Sequence, residues 1–280
     1  MMTQKFSLAY LTVANTPPPE MIHLAARAGY DYVSLRSINM GLPGEPDFSL
    51  AKNKTLLRET KQALQDTGLE LLDIELARII DGVNLKEYEA EFEVAAELGG
   101  SHVLSSIWTD DHDYAVAEFA KVCDIAKQYE LTVDLEYVPI ASVSNLAGAV
   151  DVLEKVDRSN SGLLIDVHHF HRAHDTVEAL AKVPKEWFNF FHLCDAPSVI
   201  PSDHEEMIRI VREARSYIGE GGIDIASIVN AIPQVPYSIE LPNKEQADLL
   251  GYEEFARRCL ESAKTYFAKY VTDSEKTNNL

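Results

Sequence analysis

Four short apolar runs in this chain end in side chains able to hold a divalent cation. Val133-Asp134-Leu135 leads to Glu136, and Leu163-Leu164-Ile165 leads to Asp166. Phe190-Phe191 leads to His192, and Tyr237-Ser238-Ile239 leads to Glu240. Short continuous apolar runs read as buried strands, and a strand emerging at the mouth of a fold can hand its last side chain to a site. Any one of these residues alone has an ordinary structural reading, such as a carboxylate capping the next turn. Four successive strand ends of this kind are what single them out. Three carboxylates and an imidazole suit Mn2+, Mg2+, Co2+ or Zn2+, and the oxygen-rich set tilts towards Mn2+ or Mg2+, with Mn2+ the first expectation. One such ion is the expected cofactor.

Bringing four strand ends to one point requires neighbouring strands, about 4.8 Å apart. The remaining sequence supplies them. Strands are expected at 5–11, 31–36, 69–75, 102–106, 132–136, 162–166, 187–192 and 237–240. Between them lie helical patterns. Thr16 can cap a first helix with Pro17 at its first position, running to about Ala28 and stopping at Gly29. Others are expected over 50–67, 85–98 and 114–129, the last placing Ala115, Phe119, Val122, Cys123 and Ala126 on one face. Leu146, Val150, Leu153 and Val156 stripe a fifth helix. A short one is expected over 176–182 and another over 205–215. Phe255, Cys259, Leu260, Ala263 and Phe267 mark the closing helix.

Eight strand–helix alternations predict one closed (β/α)8 TIM barrel, with functional residues at the C-terminal ends of the strands. No linker divides the chain, so residues 1–271 are expected to form a single domain, followed by a polar tail over 272–280. At 280 residues and 46% hydrophobic content a large core is within reach. A net charge of −20 repels phosphate backbones, so nucleic acid is not the expected partner. No run is long and apolar enough for a membrane span, and the N-terminus lacks a secretory pattern. Three scattered cysteines (123, 194 and 259) argue for a reducing compartment, and a cytoplasmic location is expected.

Taken in order, Leu135-Glu136, Asp166-Val167-His168-His169, His192-Leu193-Cys194-Asp195, Gly219-Glu220-Gly221-Gly222-Ile223-Asp224 and Ile239-Glu240 resemble a known family across nearly the whole chain. It is the xylose isomerase-like TIM-barrel superfamily of sugar isomerases and epimerases. The superfamily also holds inosose-type enzymes, 3-dehydroshikimate dehydratases and AP-endonuclease relatives. The resemblance implies that Glu136, Asp166, His192 and Glu240 are the metal ligands. It further implies a sugar-like hydroxy-carbonyl substrate whose two adjacent oxygens meet the ion, which would stabilise an enediolate once a neighbouring C–H proton leaves. Glu136 and Glu240 would be the catalytic proton acceptor and donor. Returning the proton gives epimerisation or isomerisation, and expelling a β-hydroxyl gives dehydration, so a lyase is the alternative activity. Relatives often pair, which makes a homodimer possible.

The same resemblance marks His169, three residues after Asp166, as a substrate contact, against a structural histidine bonded to a backbone carbonyl. His168 is read as structural, and His171 and His174 as surface residues. Arg215, just before Gly219, is marked as a substrate contact too; the alternative is a solvated helix arginine like Arg209 and Arg212. The epimerase branch carries an arginine six residues after the metal histidine, where this chain has Ser198. From position alone, Arg36 and Glu75 end strands two and three and face the same mouth, where they either pair or touch substrate. Trp108 and Tyr10 could wall a sugar face, and Tyr137 and Phe170 could line the pocket. An AP endonuclease would want extra histidines where Arg36 and Glu75 stand. A non-catalytic sugar-binding barrel would have no reason to keep four matched ligands.

Overall fold

The computed structural model describes residues 4–42 and 44–271. Eight parallel strands close in sequence order, the last pairing with the first. They are β1 (Phe6–Ala9), β2 (Tyr32–Arg36), β3 (Glu70–Ile79), β4 (His102–Ile107), β5 (Thr132–Glu136), β6 (Ser161–Asp166), β7 (Phe191–Leu193) and β8 (Tyr237–Ile239). The expected (β/α)8 barrel is what forms. The tail over 272–280 lies outside the described residues.

Strand alternation sorts the side chains into two environments. Leu8, Val33, Val103, Val133, Leu135, Leu163, Ile165, Phe191 and Ile239 belong to the large core shared with the helices. Leu72, Leu104, Leu164 and Phe190 form a separate small cluster, which the alternation places inside the barrel. Beside it the interior is polar: the Ser34 hydroxyl bonds those of Ser7 at 2.9 Å and Ser238 at 3.2 Å.

The packed helices are α1 (Pro18–Ala28), α2 (Lys54–Thr67), α3 (Lys86–Glu97), α4 (His112–Lys127), α5 (Leu146–Val156) and α11 (Tyr252–Tyr270). Short ones decorate the mouth side of the second half: α6 (Val167–Arg172), α7 (Val177–Leu180), α8 (His204–Glu213), α9 (Ile225–Asn230) and α10 (Lys244–Leu250). A turn at Tyr10–Val13 follows β1, and its Thr12 hydroxyl donates to the Ile239 carbonyl at 2.7 Å and accepts from the Leu241 N–H at 2.9 Å. That one side chain ties the closing seam.

Three local expectations need correction. Pro17, not Thr16, is the residue before α1, and Pro18 takes the first helical position. The helix still ends at Gly29, whose φ of 91° satisfies the left-handed cap. The seventh strand begins only at Phe191, because Pro184 opens a 3-10 turn over Lys185–Trp187 and pairing to β6 starts at Ile165 and Asp166. Strand β3 runs on to Ile79. Strand β6 ends, as expected, at Asp166. Its carboxylate accepts the His168 N–H at 2.7 Å and caps α6 immediately.

Candidate metal centre

Glu136, Asp166, His192 and Glu240 converge at the mouth of the barrel. One donor atom from each lies within 4.8 Å of the others, and all four residues are buried. Register explains the convergence. Asp166 pairs with His192, and His192 with Ser238, so inward side chains at the ends of β6, β7 and β8 stand level. Glu136 completes the set as the last residue of β5.

His192 turns Nδ1 toward the carboxylates, 3.2 Å from Glu136 Oε1 and 3.7 Å from Glu240 Oε2. Burial by itself would lower this imidazole. The charge of Glu240 and the hydrogen bond donated to Glu136 override that and push it up to about 10. Burial likewise pushes the Glu240 carboxyl up, opposed by His192 and Arg215. Asp166 is also desolvated, yet Arg215, His169 and His168 hold it well below the usual carboxylate range.

Arg215 proves to be neither solvated nor free. It is almost wholly buried, with Nη1 2.6 Å from Asp166 Oδ2 and 3.1 Å from Glu240 Oε2. The same nitrogen donates to the Glu240 carbonyl at 3.0 Å, while Nε donates to the Val211 carbonyl at 3.1 Å. Its place is behind the carboxylates of Asp166 and Glu240, fixing their direction.

The donor set fits a divalent cation. Three carboxylates packed this closely in a buried pocket repel one another, with Arg215 and the protonated His192 as partial compensation. Carboxylate oxygens plus one imidazole nitrogen are what Mn2+, Mg2+ or Zn2+ accepts.

His169 sits in the first turn of α6 with Nε2 3.7 Å from Asp166 Oδ2, and burial lowers its basicity. His168 is buried beside it, their Nδ1 atoms 3.4 Å apart. His174 is exposed, as expected of a surface residue, whereas His171 is half-buried and bonded to Arg172. Trp108 follows β4, half-buried, and donates to the Ser106 hydroxyl at 2.8 Å. Arg36 is buried over the Tyr10 ring, 4.7 Å from its centroid, with Nη2 3.3 Å from Glu75 Oε1. Tyr137 and Phe170 are buried.

Two residues received no role from the sequence. Asp73 is fully buried inside the barrel with neither carboxylate oxygen hydrogen-bonded, and burial, then Glu75, pushes it up to about 7. Its spacing of two from Glu75 on one strand was the available signal. Asp195 accepts backbone N–H bonds from Gly219, Gly221, Gly222 and Ile223, each at 3.0 or 3.1 Å. The glycine run therefore wraps a carboxylate, and Glu220 itself is exposed.

A closed eight-stranded α/β barrel with a cation-type donor set at the C-terminal ends of β5 to β8 defines a class of protein. The chain belongs to the xylose isomerase-like TIM-barrel family, whose model matches residues 22–261. Inosose isomerase of Bacillus velezensis is 24% identical over 92% of this chain and 95% of its own length. The 3-dehydroshikimate dehydratase of Pseudomonas aeruginosa is 25% identical over 85% of this chain but only 38% of its own. Among solved structures, the IolI protein with a bound zinc atom superposes with a TM-score of 0.80 at 21% identity, covering 96% of this chain and all of that one. No helix among the described residues is long and apolar enough to cross a membrane.

Proposed function

We propose that this protein is a divalent-metal-dependent isomerase or epimerase of a sugar-like hydroxy-carbonyl compound. The observation that carries the reading is the buried cluster of Glu136, Asp166, His192 and Glu240. Isomerase relatives that align over nearly the whole chain support it. Those four residues would hold the ion, for which Mn2+ is the first choice. When bound, such a cation supplies Lewis-acid stabilisation to negative charge developing on a substrate oxygen.

The chain's own contribution is proton handling. Glu136 and Glu240 come from β5 and β8, on either side of the two intervening strands, and so address a substrate from two directions. Glu136 as acceptor and Glu240 as donor would pass a proton between two positions of the substrate. Arg215 fixes Glu240 from behind. His169, poorly basic and buried, is placed to hold a substrate oxygen as a neutral hydrogen-bonding group. Dehydration is the second reading. It begins with the same proton removal, and a dehydratase relative supports it.

Incubation of the Mn2+-loaded protein with a panel of hydroxy-carbonyl compounds in D2O tests this. Solvent deuterium should enter the substrate without loss of water, and Glu240→Gln should slow that exchange at least about 100-fold. An absorbance rise from a conjugated product would select the lyase instead. No exchange and no product across the panel, with the ion demonstrably bound, would sink both.

A further inference from the structure

Across the mouth from the four clustered residues lies a second polar group. Glu75 is 1% exposed and Arg36 is 8% exposed, at the paired ends of β3 and β2. Their charges meet at 3.3 Å without hydrogen-bond alignment. Neither carboxylate oxygen of Glu75 has a hydrogen-bond partner, and neither has Nε of Arg36. Buried polar atoms are nearly always bonded, so three orphans on one facing pair call for a ligand. Glu75 stands close enough to Glu136 and His192 for their charges to act on it. The pair therefore shares the barrel mouth with them.

The cations at the mouth are already engaged by carboxylates or a carbonyl. Glu75, Glu136, Asp166 and Glu240 bring carboxyls to the mouth, with Asp73 buried one layer deeper on β3. Arg215 is engaged by Asp166 and Glu240, and His192 by Glu136 and Glu240. Arg36 is engaged by Glu75, and Arg78, further along β3, donates to the Met40 carbonyl at 2.7 Å. Apart from the ion, a phosphate or carboxylate entering this mouth would meet carboxylates and only cations already engaged. Hydroxyl groups can donate to the two free oxygens of Glu75 and accept from Arg36 Nε.

We propose that Glu75, steadied by Arg36, is the specificity-determining contact of this site, binding hydroxyls of an uncharged polyhydroxy substrate and rejecting phosphorylated or carboxylated ones. This rests on the reading that the barrel mouth binds substrate, and it names the class.

The test is binding rather than turnover. Metal-loaded wild-type protein is titrated calorimetrically with myo-inositol, inositol 1-phosphate and shikimate. The neutral polyol should bind at least tenfold more tightly than either anion. Glu75→Gln should weaken the polyol at least tenfold and narrow the ratio, with metal content and circular dichroism unchanged. If that variant does not fold, Glu75→Asp, which withdraws the carboxylate by one methylene, carries the same expectation. An anion binding as tightly as the polyol to wild type, or a polyol affinity within twofold in a folded variant, overturns the proposal. Selective polyol binding without proton exchange on any carbonyl compound would instead sink the proposed activity and leave this inference standing.

Discussion

His192 illustrates how one residue couples charge to metal binding. Two carboxylates stabilise its protonated form, so the folded imidazole holds its proton up to about pH 10. A folded value above the ordinary 6.5 means the ion-free protein has this stabilisation in full below about pH 6.5 and loses it as pH climbs toward 10. A cation can take the Nδ1 lone pair only from the neutral ring. Metal affinity should therefore rise with pH across that interval, by up to about tenfold per unit for each proton displaced. Calorimetry in buffers of different ionisation enthalpy would detect the released proton. An affinity flat between pH 6.5 and 9 would contradict the arrangement.

Among the elements, the connection after β7 does the most to shape the mouth. Asp195, three residues beyond His192, collects four backbone N–H groups from 219 to 223 and pairs antiparallel with Ser216. That knot fixes the segment carrying Arg215, and through it the carboxylates of Asp166 and Glu240. Gly221 permits it: a Cβ there would lie 2.2 Å from Asp195 Oδ1 and 2.5 Å from the Ala196 carbonyl oxygen. Gly221→Ala must displace the loop, at a cost of about 2 kcal/mol. Thermal unfolding should show a loss of about 3–4 °C, with faster proteolytic cleavage near 216–223. An unchanged melting temperature would mean the knot is not holding the arginine.

At the scale of the whole molecule, closure of the barrel is what makes the buried acidity tolerable. Strands β5 to β8 can converge their ends because β8 pairs with β1, and the outward apolar face of every strand is covered by helices. The resulting cavity concentrates negative charge that an ion would relieve. A divalent cation at a hundredfold excess over its Kd should stabilise the fold by about 2.7 kcal/mol. Addition of EDTA to the Mn2+-loaded protein should lower its melting temperature by several degrees. Identical melting with and without chelator would count against any ion in this mouth.

The sequence by itself determined the barrel and the four converging residues, because both depend on local signals. Strand period, helical stripes and the residue type at each strand end survive without knowledge of neighbours. Tertiary structure decided what those residues touch. Arg215 read as a substrate contact, or else as a solvated arginine like Arg209 and Arg212, whereas chain reversal after α8 buries it against two carboxylates. Asp73 and Glu75 differed only by lying two apart on a strand, and nothing local says that their oxygens find no partner. The helix beginning at Val167 went unread because Asp166 both ends a strand and caps the next turn. Ion pairs and orphaned oxygens arise between segments tens of residues apart, and only the closed fold brings those segments together.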